Sequence, residues 1–137
     1  MAARIDYFDE TAVADVGMRV YGGSFEDILQ GSAQGLLGLM ISDPDALPEG
    51  RPRTLSLQDI SREFLLRALL EEIVFLKDAE SIVLVVEGIT LAPPNGTGAG
   101  EIKANLSCRE IELSEATGLF GIDVKAVTFH DFQVTRM

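Results

Sequence analysis

Between residues 24 and 41 the apolar side chains Phe25, Ile28, Leu29, Ala33, Leu36, Leu37 and Met40 recur at three- and four-residue spacing, the period of one helix face. Ser24 stands where an N-cap belongs, and Glu26 and Asp27 suit the positive end of a helix, so the pattern predicts a helix from Ser24 to near Ile41. Gly31, Gly35 and Gly38 interrupt it, each costing about 1 kcal/mol relative to alanine in an exposed helix interior. Their presence predicts close approach to a sheet or to a second helix. That second helix is expected over Asp59 to Asp78, where Phe64, Leu65, Ala68, Leu69, Ile73 and Leu76 keep helical spacing. Leu66, Leu70, Val74 and Phe75 make it apolar around much of its circumference, which predicts cover on more than one side. The prolines of SDPDALPEGRP, Ser42 to Pro52, keep the two helices apart.

Strands are expected at Ile5 to Phe8, Val16 to Tyr21, Arg53 to Leu57 and Val124 to Val134. SIVLVVEGITL is rich in β-branched residues, and EIKANLSC alternates Ile102, Ala104, Leu106 and Cys108 with polar residues. The glycines of PPNGTGAG between them lack the GK[ST] ending and the following helix of a phosphate loop, so this segment reads as a hairpin tip. Grouped strands with two neighbouring helices predict an α+β fold: a single domain over residues 1–137, with both helices on one face of a largely antiparallel sheet.

A chain of 137 residues can bury roughly two thirds of its unfolded surface in one core. Its formal charge of -11 repels phosphate backbones, which argues against autonomous nucleic-acid binding and favours a basic protein or a cation as partner. Cys108 is the only cysteine, so an internal disulfide and a zinc-ligating cysteine cluster are both excluded. The apolar runs are too short for a signal peptide or a membrane span, and a cytoplasmic protein without membrane attachment is expected. The single histidine, His130, has no GxSxG nucleophile elbow to serve, so the chain does not read as an enzyme.

The stretch DVKAVTFHDF carries the remaining candidate chemistry. Strict alternation puts Val124, Ala126, Thr128, His130 and Phe132 on one face and Asp123, Lys125, Val127, Phe129 and Asp131 on the other. Lys125 and His130 therefore share a pocket only across a bulge. On strand geometry alone, Lys125 is a solvated edge group and His130 a hydrogen-bonded structural residue. Asp15 alone would be read as orienting the turn before Val16.

Three stretches, YFDETAVADVGMRVYGGSFEDIL, LLRALLEEIVFLKDAESIV and DVKAVTFHDFQV, resemble the archease family in order and spacing, and DVKAVTFH is the most specific of them. The resemblance covers most of the chain. It implies an accessory protein that activates the RNA ligase joining a 3'-phosphate or cyclic-phosphate end to a 5'-hydroxyl, in tRNA splicing and RNA repair. In that role it promotes guanylylation of the ligase and its multiple turnover, without catalysing a step itself. It also implies a bound divalent cation, calcium or magnesium, with Asp15 matching the aspartate of the family's HTADVG stretch as a ligand. Asp15, Lys125, Thr128 and His130 become the residues expected to meet the partner.

The sequence departs from the pattern at Ala12 and Val13, which replace a histidine and a threonine, and at Leu69, which replaces a tryptophan. It ends at Met137, before the family's last strand and its aspartate, which leaves Asp15 without the expected second ligand. A shortened chain, replacement by acids such as Asp123 or Asp131, and a member without metal are the alternatives. A chaperone-like or structural interaction module is the other functional reading.

Overall fold

The structure is a computed structural model that describes residues 3–10, 15–92, 102–121 and 124. Strands β1 (Arg4–Glu10) and β2 (Asp15–Tyr21) form an antiparallel ladder, with Ile5 opposite Val20 and Tyr7 opposite Met18. Helix α1 (Phe25–Met40) follows, capped by Ser24, whose hydroxyl accepts a hydrogen bond from the Asp27 amide at 3.1 Å. After a 3-10 turn at Pro44–Ala46 come β3 (Arg51–Asp59), α2 (Arg62–Glu80), β4 (Ile82–Ala92) and β5 (Ile102–Glu112).

The α2 helix begins three residues later than its apolar run suggests. Asp59 is still paired with Ile102 in the sheet, and the true cap is Ser61, whose hydroxyl accepts from the Phe64 amide at 3.1 Å. Ser81 ends the helix in a left-handed conformation, with φ at 57°, and turns the chain directly into β4.

All described pairings are antiparallel: β1–β2 forms a two-stranded sheet and β3–β5–β4 a three-stranded one. Leu84 and Val86 on β4 and Ala104, Leu106 and Cys108 on β5 are buried, while Thr54, Ser56, Lys103, Asn105 and Ser107 face water. The helices lie on the buried face, where Leu29, Leu36 and Met40 of α1 join Leu65, Leu69, Ile73 and Leu76 of α2 in one core cluster. Truncating a side chain at such a site to its Cβ, Leu69→Ala for example, costs about 2–5 kcal/mol.

The glycines of α1 mark where the β1–β2 sheet lies on it. A Cβ at Gly31 would run into Ala3 and come within 2.8 Å of Val20 Cγ1, and one at Gly35 would meet the Met18 sulfur and lie 3.1 Å from Ile5 Cγ2. The Tyr7 hydroxyl donates to the Gly35 carbonyl at 2.7 Å, fixing the hairpin's position along the helix. Close approach of a sheet was expected from these glycines, and β1–β2 is that sheet.

Cover on more than one side of α2 is found for Leu66, Leu70 and Val74, which are buried along with Leu65, Leu69, Ile73 and Leu76, but not for its two phenylalanines. Phe64 and Phe75 are 49% and 54% exposed, because they project from the side of α2 opposite Leu69 and Ile73. The predicted hairpin tip at 93–100 and all of the predicted last strand except Val124 lie outside the described residues.

The glycine contacts set a stability test. Gly31→Ala is expected to lower stability by about 1–2 kcal/mol in chemical denaturation, since overpacking outweighs the roughly 1 kcal/mol that alanine gains in helix propensity. Gly88→Ala, whose added Cβ would meet nothing within 4 Å, should change it by no more than about 0.5 kcal/mol.

Candidate functional site

Asp15 opens β2, where the register sets it opposite Glu10 at the end of the hairpin. Two acidic positions therefore face each other across the ladder. Calcium takes six to eight oxygen ligands, and among the described residues no group of three or more His, Cys, Asp or Glu converges on a point. The described residues thus form no cage of that kind. Lys125, Thr128 and His130 lie outside the described residues.

What is described is the path by which the chain reaches them. Beyond β5 and the 3-10 turn Leu113–Ala116, the backbone is bound to the end of α1. The Ser42 amide donates to the Leu119 carbonyl at 2.7 Å, the Gly121 amide donates to the Met40 carbonyl at 2.8 Å, and Ile41 bridges Phe120. Gly121 is needed there, because a Cβ would come 2.5 Å from the Leu39 carbonyl oxygen. Three residues on, the Val124 carbonyl accepts a hydrogen bond from Lys77 Nζ at 2.6 Å. Lys77 sits on the flank of α2 with its side chain only 10% exposed, and its ammonium also lies 3.3 Å from Asp78. A nearly buried ammonium thus fixes the residue next to Lys125.

Neither Lys77 nor Gly121 stood out in the sequence. Their partners are 47 and about 80 positions away, and contacts of that range leave no periodic signal. The only local sign was a lysine at the margin of the apolar run VFLKD.

A cleft of about 300 Å³ lies between α1, the Pro44 turn and β4, lined by Ala33, Leu37, Pro44, Val85 and Arg109. Arg109 acts there as a strut. Its Nη1 donates to the carbonyls of Pro48 and Glu49, each at 3.0 Å, and its Nε lies 3.2 Å from Glu87 as an ion pair without hydrogen-bond alignment. Beneath it, burial pushes the Cys108 thiol from 9.0 up to about 11, with Arg53 lowering it and Glu87 raising it. That thiol is a packed, protonated core group rather than a nucleophile.

The fold defines a small α+β protein, and of its candidate groups Asp15, opposite Glu10 at the end of the β1–β2 ladder, is the one within the described residues. A profile of the Archease protein family matches residues 6–137, and the chain belongs to that family. It is 27% identical over 132 residues to the protein archease of Thermococcus kodakarensis, spanning 96% of this chain and 88% of that one. Against the protein archease of Thermococcus gammatolerans it is 26% identical over 134 residues, spanning 98% and 89%. The solution structure of Methanobacterium thermoautotrophicum protein 1598 matches with a TM-score of 0.77 at 22% identity, covering 97% of this chain and 89% of that one, and so shares the fold. Among the described residues, no helix is long and apolar enough to cross a membrane.

Two measurements test this geometry. Lys77→Met leaves the Val124 carbonyl without its donor and should raise amide hydrogen exchange around residues 119–124, with a stability loss of about 1–3 kcal/mol. Because the folded-state pKa of Cys108 is raised, its contribution is fully present below pH 9 and lost as pH climbs from 9 toward about 11. In Cys108→Ala, the decline of stability across that window should be shallower than in the parent protein.

Proposed function

We propose that this protein is an accessory activator of an RNA ligase that seals 3'-phosphate or cyclic-phosphate ends to 5'-hydroxyls, working in the cytoplasm in tRNA splicing or RNA repair. It acts by protein contact, promoting guanylylation of the ligase and its repeated turnover, and makes no bond itself. Family membership over residues 6–137 carries this reading. The charge of -11 supports it, since a strongly acidic protein is steered toward a basic protein surface and away from RNA.

Asp15, Lys125, Thr128 and His130 are the contacts proposed for that partner. A divalent cation, calcium or magnesium, is proposed at Asp15, with Glu10, its partner in register, as the nearest described acidic position. Bound there, a hard cation would offset the repulsion between neighbouring carboxylates.

The test is multiple-turnover RNA joining with limiting ligase, GTP and metal. The protein should carry joining well past one turnover per ligase, and Asp15→Asn combined with Lys125→Ala should remove most of that gain. Absence of any gain from the parent protein defeats the reading. Calorimetric titration with calcium or magnesium should show a heat of binding that Asp15→Asn diminishes.

A further inference from the structure

Helix α2 turns two phenylalanines directly away from the core. Phe64 and Phe75 are separated by three helical turns, which places them within roughly 20° of each other around the axis and about 16 Å apart along it. Both are about half exposed, whereas Leu69 and Ile73 on the opposite side are 1% exposed. Between the two rings lies an ion pair, Arg67 Nε to Glu71 Oε1 at 2.7 Å, itself open to water.

Packing gives no reason for aromatic rings on this line. A single exposed phenylalanine needs no explanation, but two in line on one helix face form a feature. A second, independent feature falls on the same face. Glu71 and Asp78 stand on it with Glu72 at its edge, and the last turn of a helix, where Asp78 lies, disfavours carboxylates because its macrodipole is negative there. Lys77, the basic residue of that turn, is drawn inward to the Val124 carbonyl, and its ammonium meets Asp78 alone of these acids, at 3.3 Å. The result is two aromatic anchors in an anionic frame, with an arginine between them, which is the composition of a protein interface centre with a charged rim.

We propose that this outward face of α2 is a docking surface for a cationic protein surface with two apolar notches about 16 Å apart. This rests on the ligase reading above, in which the RNA ligase is that cationic partner. The acids repel RNA and anionic lipid alike. A second copy would bring an equally acidic face against this one, which like-charge contact opposes.

The experiment uses the full chain and the purified RNA ligase of the same organism, with affinity and association rate measured by biolayer interferometry at low and high salt. Phe64→Ser with Phe75→Ser is expected to weaken binding about tenfold or more while leaving the melting temperature nearly unchanged, because both rings are exposed. Asp78→Lys is expected to slow association at low salt and to matter little at high salt. If the parent protein binds and activates the ligase and these variants do so equally well, the surface assignment is wrong and the proposed function stands. A parent protein that neither binds nor activates the ligase overturns both. A dimer in sedimentation velocity, or binding to single-stranded RNA or anionic vesicles, that the double variant abolishes would assign the face to another occupant and also overturn the inference.

Discussion

The distance between α1 and the β1–β2 ladder governs how the rest of the molecule is arranged. Helix α1 contacts both sheets and α2, and it can do so only because glycines replace side chains on the flank that meets β1 and β2. Each glycine weakens the helix by about 1 kcal/mol in isolation. Here that cost is offset by dispersion contacts of Ile5, Met18 and Val20 against bare helix backbone, and by the Tyr7 hydrogen bond to Gly35. The ladder so held carries Asp15 and Glu10 at its far end, so packing on α1 places the acidic pair.

Much of this was legible, and the boundary between what was and was not has a physical cause. Ser24, the apolar period and the helix glycines foretold α1 to within a residue, together with the sheet on its flank, because all three signals are local. The β-branched run of β4 and the alternation of β5 likewise marked the hairpin arms. Helix α2 was visible, but its period could not distinguish Leu65 from Phe64. Both are apolar neighbours, and which one is buried depends on where the sheet lies. The candidate site residues come from family resemblance alone, and only Asp15 among them lies within the described residues. Lys77, Ser42 and Gly121, which fix the chain at Leu119, Gly121 and Val124, act through contacts dozens of residues away.

Charge is unevenly used. Among the described basic residues, Arg51 and Arg53 pair with Glu110 and Glu112, and Arg109 divides its guanidinium between loop carbonyls and Glu87. Surface pairs of this kind add little stability, typically about 0–1 kcal/mol each. Their larger effect is to neutralise Arg51, Arg53 and Arg109 locally, at one end of the β3–β5–β4 sheet. A carboxylate excess elsewhere, including on α2, then orients the protein in the field of an approaching cation-rich surface.

Both attachments of the 119–124 segment, the end of α1 and the ammonium of Lys77, belong to chain that leaves the ribosome earlier than the segment itself. During synthesis both helices, which end at Met40 and Glu80, leave the ribosome before Val124 does. Val124 therefore meets its anchors only after both have been made, so its docking can add to the core but cannot begin it.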